Sequence, residues 1–544
     1  MIKITILIVY IIHKVYCEDP IINLPNGKIR GQMVKSRVDD SFTFYSYQGI
    51  PFAAPPIGKY RFLPPQPVQN WDGIKDVFDN EVSCWASDKV EAKATEDCLY
   101  LSVYTPVAPT NNTKLNVLVF MYGGGFHHGH MSYGHKKSSF IVQNDIILVT
   151  FNYRGGPFGF LSTGDSVIPG NMGLKDQQAT LKWVNQNIHL FGGDPDKVTL
   201  MGQSAGSASM TYHLLAPGSS GLFRAAVGCS GSAFCTWAYQ RNAVDAAYGV
   251  AAEIDPSFTR NRSSEELLEF LQSVDAVEIV NTNITYNLFA PVIEVPHDGA
   301  FISENMYDNA LNGNFNKVPV LMGINSEEGI GLGRDMPSFL QRLRSYDKNP
   351  RLGVNDDMYI TDDDVKLQVG KEINRIYVGD GLLEDNPGKG IQMYSDDRYA
   401  RAIIKFAELI ARHVDVFFYQ FSYHGELGKV TNNVTIPGIG KVKHAEDQRY
   451  FWSEHDDYSA YPKSDIITVA RYNKLISNFV KTLNPTPFED DLFQKLTWPK
   501  VKKNNYLYLD IDNDLTIQEN PRNFSYSYWV DIFEKYVPKP FISY

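Results

Sequence analysis

Long hydrophobic runs are almost absent from this sequence. The one strong run, residues 4–12, is nine residues long, too short to cross a bilayer core of about 30 Å. No later stretch is long and apolar enough to span, so a membrane-embedded class is not indicated. An excess of basic residues is missing too: 51 Lys and Arg stand against 62 Asp and Glu, a formal net charge of −11. That disfavours nucleic acid and anionic membrane surfaces as partners and says little about a neutral substrate. Cysteine is scarce, five in 544 residues, which excludes a disulfide-dense scaffold. Internal repeats and low-complexity linkers are lacking, so a single enlarged domain is the simpler expectation for residues 18–544.

Lys3 precedes the apolar run and the small residues Val15 and Cys17 follow it, so residues 1–17 read as a secretory signal peptide. Residues 540–544 carry neither a retention signal nor a lipid-anchor tail. The expectation is a secreted, extracellular protein. Sequons at Asn111, Asn261, Asn283, Asn433 and Asn523 fit a glycoprotein of that compartment. Cys84 and Cys98 bracket a polar segment and make a sensible disulfide loop there. Cys229 and Cys235 could pair or remain buried thiols, and spacing alone leaves both open.

The stretch that organises the chain is Gly202-Gln203-Ser204-Ala205-Gly206. Five strand-like residues lead into it and a helix-like segment, residues 207–215, leaves it. G-x-S-x-G between strand and helix is a nucleophile elbow: the turn is sharp and strained, so its neighbours two positions either side must be nearly free of side chain. Ser204 then stands at a helix N-terminus, where the dipole favours negative charge.

Alternation elsewhere fits the same plan. Strands are expected over residues 99–104, 116–121, 146–152, 225–229, 318–324, 416–421 and 506–511. Helices are expected over 173–191, 400–413 and 471–483, with a mainly helical insertion that includes 263–280. The acidic segment 356–364 reads as a solvated face or a helix start. Strand and helix in alternation give a doubly wound α/β sheet. The apolar strand 116–121 runs straight into Tyr122-Gly123-Gly124-Gly125-Phe126, whose glycines let backbone N–H groups face a bound atom. A phosphate loop is the competing idea, but no Lys-Ser/Thr follows.

A serine nucleophile needs a base and an acid that orients it. In α/β-hydrolases the chain order is nucleophile, acid, histidine. The strand 318–324 ends in Asn325-Ser326-Glu327-Glu328-Gly329, and Gly440-Lys441-Val442-Lys443-His444 follows the strand 416–421.

With those pieces in hand, essentially the whole mature chain resembles a type-B carboxylesterase of the cholinesterase superfamily. The motifs that carry the resemblance are Glu96-Asp97-Cys98-Leu99-Tyr100-Leu101, Tyr122-Gly123-Gly124-Gly125-Phe126, Asn152-Tyr153-Arg154, Gly170-Asn171-Met172-Gly173-Leu174-Lys175-Asp176-Gln177, Phe191-Gly192-Gly193-Asp194-Pro195 and the Ser204 elbow. It implies an α/β-hydrolase fold and a serine esterase acting on small-molecule esters with no cofactor. Ser204 would be the nucleophile, Glu328 the acid and His444 the base. The N–H groups of Gly124, Gly125 and Ala205 would form the oxyanion hole. The family places its acid directly before a glycine, which selects Glu328 over Glu327. Arg61 with Glu96 and Arg154 with Asp176 would be buried ion pairs, Ser230 would lie behind the site, and Trp237 and Phe289 would line the acyl pocket.

The chain departs from the family pattern at Lys441, which fills a usual glycine position ahead of the histidine. It also lacks a clear choline-binding Trp and the cysteines of the later cholinesterase disulfides, and a quaternary ammonium needs an aromatic face. Gln203, in place of the commoner Glu, resembles the insect juvenile hormone esterases and their relatives. The rival from another class is a non-catalytic adhesion or ligand-sequestering relative, which usually loses triad members and carries a membrane span. His127, His128, His130 and His135 invite a metal reading, but no Cys, Asp or Glu accompanies them, and gorge-wall or surface histidines are the expectation.

Overall fold

The computed structural model of the chain describes residues 20–79, 81–85, 93–109, 113–131, 138–284, 289–429, 434–455, 457–502 and 505–544. The leader expected at residues 1–17 and the sequons at Asn111 and Asn433 lie outside this set, as does His135.

Apolar strands that alternate with helices can bury both faces only inside a layered α/β structure. The chain builds one sheet from β1 (Gln32–Lys35), β2 (Thr43–Pro51), β3 (Tyr100–Thr105), β4 (Leu115–Met121), β5 (Ile146–Phe151), β6 (Gly193–Gln203), β7 (Ala225–Cys229), β8 (Val320–Asn325), β9 (Val416–Phe421), β10 (Leu507–Ile511) and β11 (Leu515–Glu519). Across the sheet the order is β11-β10-β9-β8-β7-β6-β4-β5-β3-β2-β1. The centre, from β5 to β10, is parallel, and the pairs β10/β11, β5/β3, β3/β2 and β2/β1 are antiparallel. Every residue of β5, β7 and β8 is buried, as strands covered on both faces require.

The principal helices are α1 (Met172–Asn187), α2 (Ala205–Leu215), α3 (Asp363–Val378), α4 (Pro387–Ser395), α5 (Arg401–Ile410), α6 (Lys463–Thr482) and α7 (Asn523–Tyr536). One contiguous hydrophobic cluster takes in buried residues from Ile22 to Tyr544. Strand boundaries fall within a residue or two of those expected, except that β6 begins at Gly193, four residues before the five expected to lead into the elbow. The helix expected over 173–191 ends at Asn187, and its last turn, Ile188–Phe191, is tightened to 3₁₀. The helix expected over 471–483 begins at Lys463, two turns earlier, because its polar first turns face inward: Asp465 is buried and accepts the Tyr423 hydroxyl at 2.5 Å. The helix expected over 400–413 is preceded by a π turn, Asp396–Ala400, which joins α4 to α5.

The acidic segment 356–364 divides. Asp362 caps α3 by accepting the N–H groups of Asp364 and Val365, but Asp357 is no solvated residue: it is buried and paired with Arg401 at 2.9 Å. Cys84 and Cys98 form a disulfide, and Cys229 and Cys235 are buried free thiols.

Candidate active site

β6 delivers the elbow at the carboxyl edge of the sheet. Ser204 takes φ 57° and ψ −122°, a left-handed conformation foreign to residues with a Cβ. The close passage explains the two flanking glycines. A methyl on Gly202 would run into the carbonyl of Gly206, and one on Gly206 into the carbonyl of Met121, with Tyr122 O only 2.7 Å away. The turn is pinned by Ser204 N–H donating to Cys229 O at 2.8 Å and Ala208 N–H donating to Ser204 O at 2.9 Å.

Ser204 Oγ lies 2.8 Å from His444 Nε2, and His444 Nδ1 lies 2.7 Å from Glu328 Oε2. The Glu328 carboxylate also accepts the Asn325 N–H at 2.7 Å, and His444 N–H donates to Glu328 O at 3.1 Å. The Glu328 carboxylate is fully buried and the imidazole is 24% exposed, so the dry end of the row is Glu328. Glu327 points elsewhere, toward the Ser326 hydroxyl and the Val442 N–H.

Beside Ser204 runs the glycine loop that ends β4. Its proximity is close enough that a methyl on Gly123 would sit 2.7 Å from Ser204 Cβ. Gly124 takes φ 121° and Gly125 φ 63°. Gly124 O accepts N–H bonds from His127 and His128 at 3.0 and 3.2 Å. The Gly125 N–H, trans to that carbonyl across one peptide plane, therefore points the opposite way. Ala205 opens α2, so its N–H has no intrahelical acceptor.

The loop is clamped. Tyr122 and Tyr153 stack at 4.4 Å and exchange hydroxyl-to-carbonyl bonds of 3.1 and 2.9 Å. The Arg154 fork holds Asp176 at 2.7 and 2.8 Å, and Arg61 holds Glu96 at 2.6 and 2.7 Å.

Trp237 is half-buried and packs against Phe126 and Tyr399 at 6.3 and 5.9 Å, which sets it at the edge of the site. Phe289 is buried in the core. Ser230 lies directly behind the elbow, its N–H on Gly323 O at 2.9 Å. His127 is pushed down to about 4 by burial, with the neighbouring His128 adding to the effect, so it is a neutral ring. Among the described residues no group of three or more His, Cys, Asp or Glu side chains is arranged to hold a metal ion. Asn261, Asn283 and Asn523 are exposed, and no helix of the described residues is long and apolar enough to cross a membrane.

Three contacts at the site have no local sequence signal. Gln203 Nε2 lies 3.3 Å from His444 Nε2, the Tyr399 ring lies 4.6 Å from the His444 ring, and Arg522 donates to the carbonyls of Asn325 and Ser326. The first two join residues 241 and 45 positions apart, the last about 196. Only the folded chain brings them together.

Comparison with known proteins gives a consistent result. The model of the carboxylesterase family matches residues 18–529. Venom carboxylesterase-6 of Apis mellifera is 32% identical over 541 residues, 94% of each chain. Juvenile hormone esterase of Tribolium castaneum is 30% identical, over 88% of this chain and 86% of its own. Among solved structures, the juvenile hormone esterase of Manduca sexta with OTFP covalently attached superposes with a TM-score of 0.82 at 26% identity, covering 95% of this chain and all of that one.

Proposed function

Because the chain belongs to the carboxylesterase family, with the α/β-hydrolase fold and carboxylic-ester hydrolysis that go with it, we propose that it is an exported serine esterase working through Ser204, His444 and Glu328. The observation that carries this reading is the unbroken row Ser204 Oγ, His444 Nε2, His444 Nδ1, Glu328 Oε2, with links of 2.8 and 2.7 Å.

Ser204 Oγ attacks the ester carbonyl as its proton passes to His444 Nε2. The carbonyl π electrons move to oxygen, where the N–H groups of Gly124, Gly125 and Ala205 receive the charge; one such donor is worth about 10²–10³-fold in rate. Collapse breaks the bond to the alcohol oxygen, which leaves with the proton from His444. Water then gives its proton to the same nitrogen, attacks the acyl-enzyme, and releases the acid with Ser204 restored. Glu328 keeps Nδ1 as the protonated nitrogen and balances the imidazolium. Trp237 and Phe289 are assigned to the acyl pocket.

Export is supported by the leader-like residues 1–17 and by the Cys84–Cys98 disulfide. Glycans at the five sequons belong to the same reading, and the continuous core supports one catalytic domain over residues 18–544. Gln203 and the juvenile hormone esterases among the similar proteins favour a narrower second reading, hydrolysis of juvenile hormone.

The test is turnover of a short p-nitrophenyl ester by the secreted protein and by Ser204→Ala, with mass spectrometry after organophosphate treatment. Activity absent from the variant and one adduct on the Ser204 peptide are the expected results. Folded wild type with neither turnover nor adduct would sink the enzyme reading in favour of a ligand-sequestering protein. Comparison of juvenile hormone with simple esters decides the narrower reading.

A further inference from the structure

An α-helix places residue 399 where its turn dictates, but α4 and α5 are joined by a π turn, Asp396–Ala400, and the wider turn changes which way Tyr399 faces. The turn is fastened from three sides. Asp396 Oδ2 accepts the hydroxyls of Tyr377 and Ser525 at 2.8 and 2.7 Å. Trp237 Nε1–H donates to Arg398 O at 2.9 Å. Arg398 Nη1 donates to Thr236 Oγ1 at 3.0 Å. So held, the Tyr399 ring lies over the His444 imidazole, with centroids 4.6 Å apart and planes 36° apart, and Trp237 backs it at 5.9 Å.

We propose that Tyr399 is a positioning residue of the base: its ring face fixes the imidazole plane and stabilises the imidazolium formed as Ser204 gives up its proton. This rests on the reading of His444 as the base. The base must carry a proton from Oγ to the leaving alcohol without losing Glu328. An aromatic face across the ring limits tilting out of plane while leaving in-plane motion free. A ring face within about 6 Å of a cation also attracts it through its quadrupole.

Three other groups meet the imidazole at its edge. Glu328 meets Nδ1, and Ser204 and Gln203 meet Nε2. On the histidine's own loop, Lys443 N–H is held by Glu446, which also takes His424 at 2.5 Å, and Glu327 faces Ser326 and Val442. Behind Tyr399, the Arg398 guanidinium lies over the Tyr394 ring. Burial raises the Tyr399 hydroxyl well above its ordinary range, so the ring is a neutral phenol.

The experiment is the pH profile of kcat/KM for the full chain and for Tyr399→Phe, Tyr399→Leu and a series bearing fluorinated phenylalanines at position 399. Organophosphate labelling of Ser204 and the melting temperature are read on each. Tyr399→Phe should keep the acid limb. Tyr399→Leu should move it to lower pH by about 0.4–1.5 units and lower kcat/KM about two- to thirty-fold. The fluorinated rings keep the shape and drain the face of charge, so they should move the limb in steps at constant melting temperature, whether or not the leucine variant folds. Active, labelled variants whose limb stays fixed overturn the inference. A wild type that neither labels nor turns over fails the underlying reading instead.

Discussion

The elbow stores backbone strain, and replacing Ser204 by glycine and by alanine separates that strain from the chemistry. Both substitutions remove Oγ and its 2.8 Å link to His444, so both should lose about 10⁶-fold in kcat. They differ only at Cβ. With φ at 57° and ψ at −122°, alanine keeps a conformational cost of about 1–3 kcal/mol. Glycine is released from it, less about 0.5–1 kcal/mol for its freer unfolded chain. The Ser204→Gly protein is therefore expected to be more stable than Ser204→Ala by about 1 kcal/mol, read as a higher guanidinium midpoint at unchanged m-value. Alanine as stable as glycine, or more so, would mean that the turn holds no strain at Ser204 and would refute the reading of the elbow as a strained turn.

Three further outcomes follow from the geometry. Glu328→Gln should lower kcat by about 10⁴-fold through loss of the tautomer-fixing partner, while Glu327→Gln, whose carboxylate serves Ser326 and Val442, should leave kcat within about tenfold; a steady-state comparison of the two decides it. Replacing Cys84 and Cys98 together by serine opens a loop with a sequence separation of 14 and should cost about 3 kcal/mol in denaturant titration. His213 is lowered from 6.5 to about 3 by burial, and His127 to about 4. The unfolded chain binds these protons first on acidification, so stability is lost as pH falls from 6.5, by about 1.4 kcal/mol per unit for each group across its window. His213→Gln should flatten that slope in melts between pH 6 and 4; an unchanged slope would remove His213 from the explanation.

The elbow and the glycine loop were legible in the sequence because each is local: a strand, a few small residues and a helix lie in one short run. The parallel strands were legible because burial on both faces leaves only apolar residues. Glu328 and His444 could be ordered along the chain, but their 2.7 Å contact depends on how two loops 116 residues apart fold toward each other. Long-range pairing also explains what was misread. The acid run at 356–364 resembles a solvated face by composition, yet Asp357 is buried because Arg401, 44 residues on, meets it. The π turn spans only Asp396–Ala400, too short a stretch for a 3.6-residue period to reveal it or where Tyr399 faces.

Arg522 comes later in the chain than Ser204, Glu328 and His444, yet its guanidinium takes the carbonyls of Asn325 and Ser326, at the start of the loop that carries Glu328, and lies 3.4 Å from Asp396 of the π turn. One late residue thus ties the loop that carries Glu328 to the π turn that carries Tyr399, so a change at Arg522 would reach His444 from two sides without touching it.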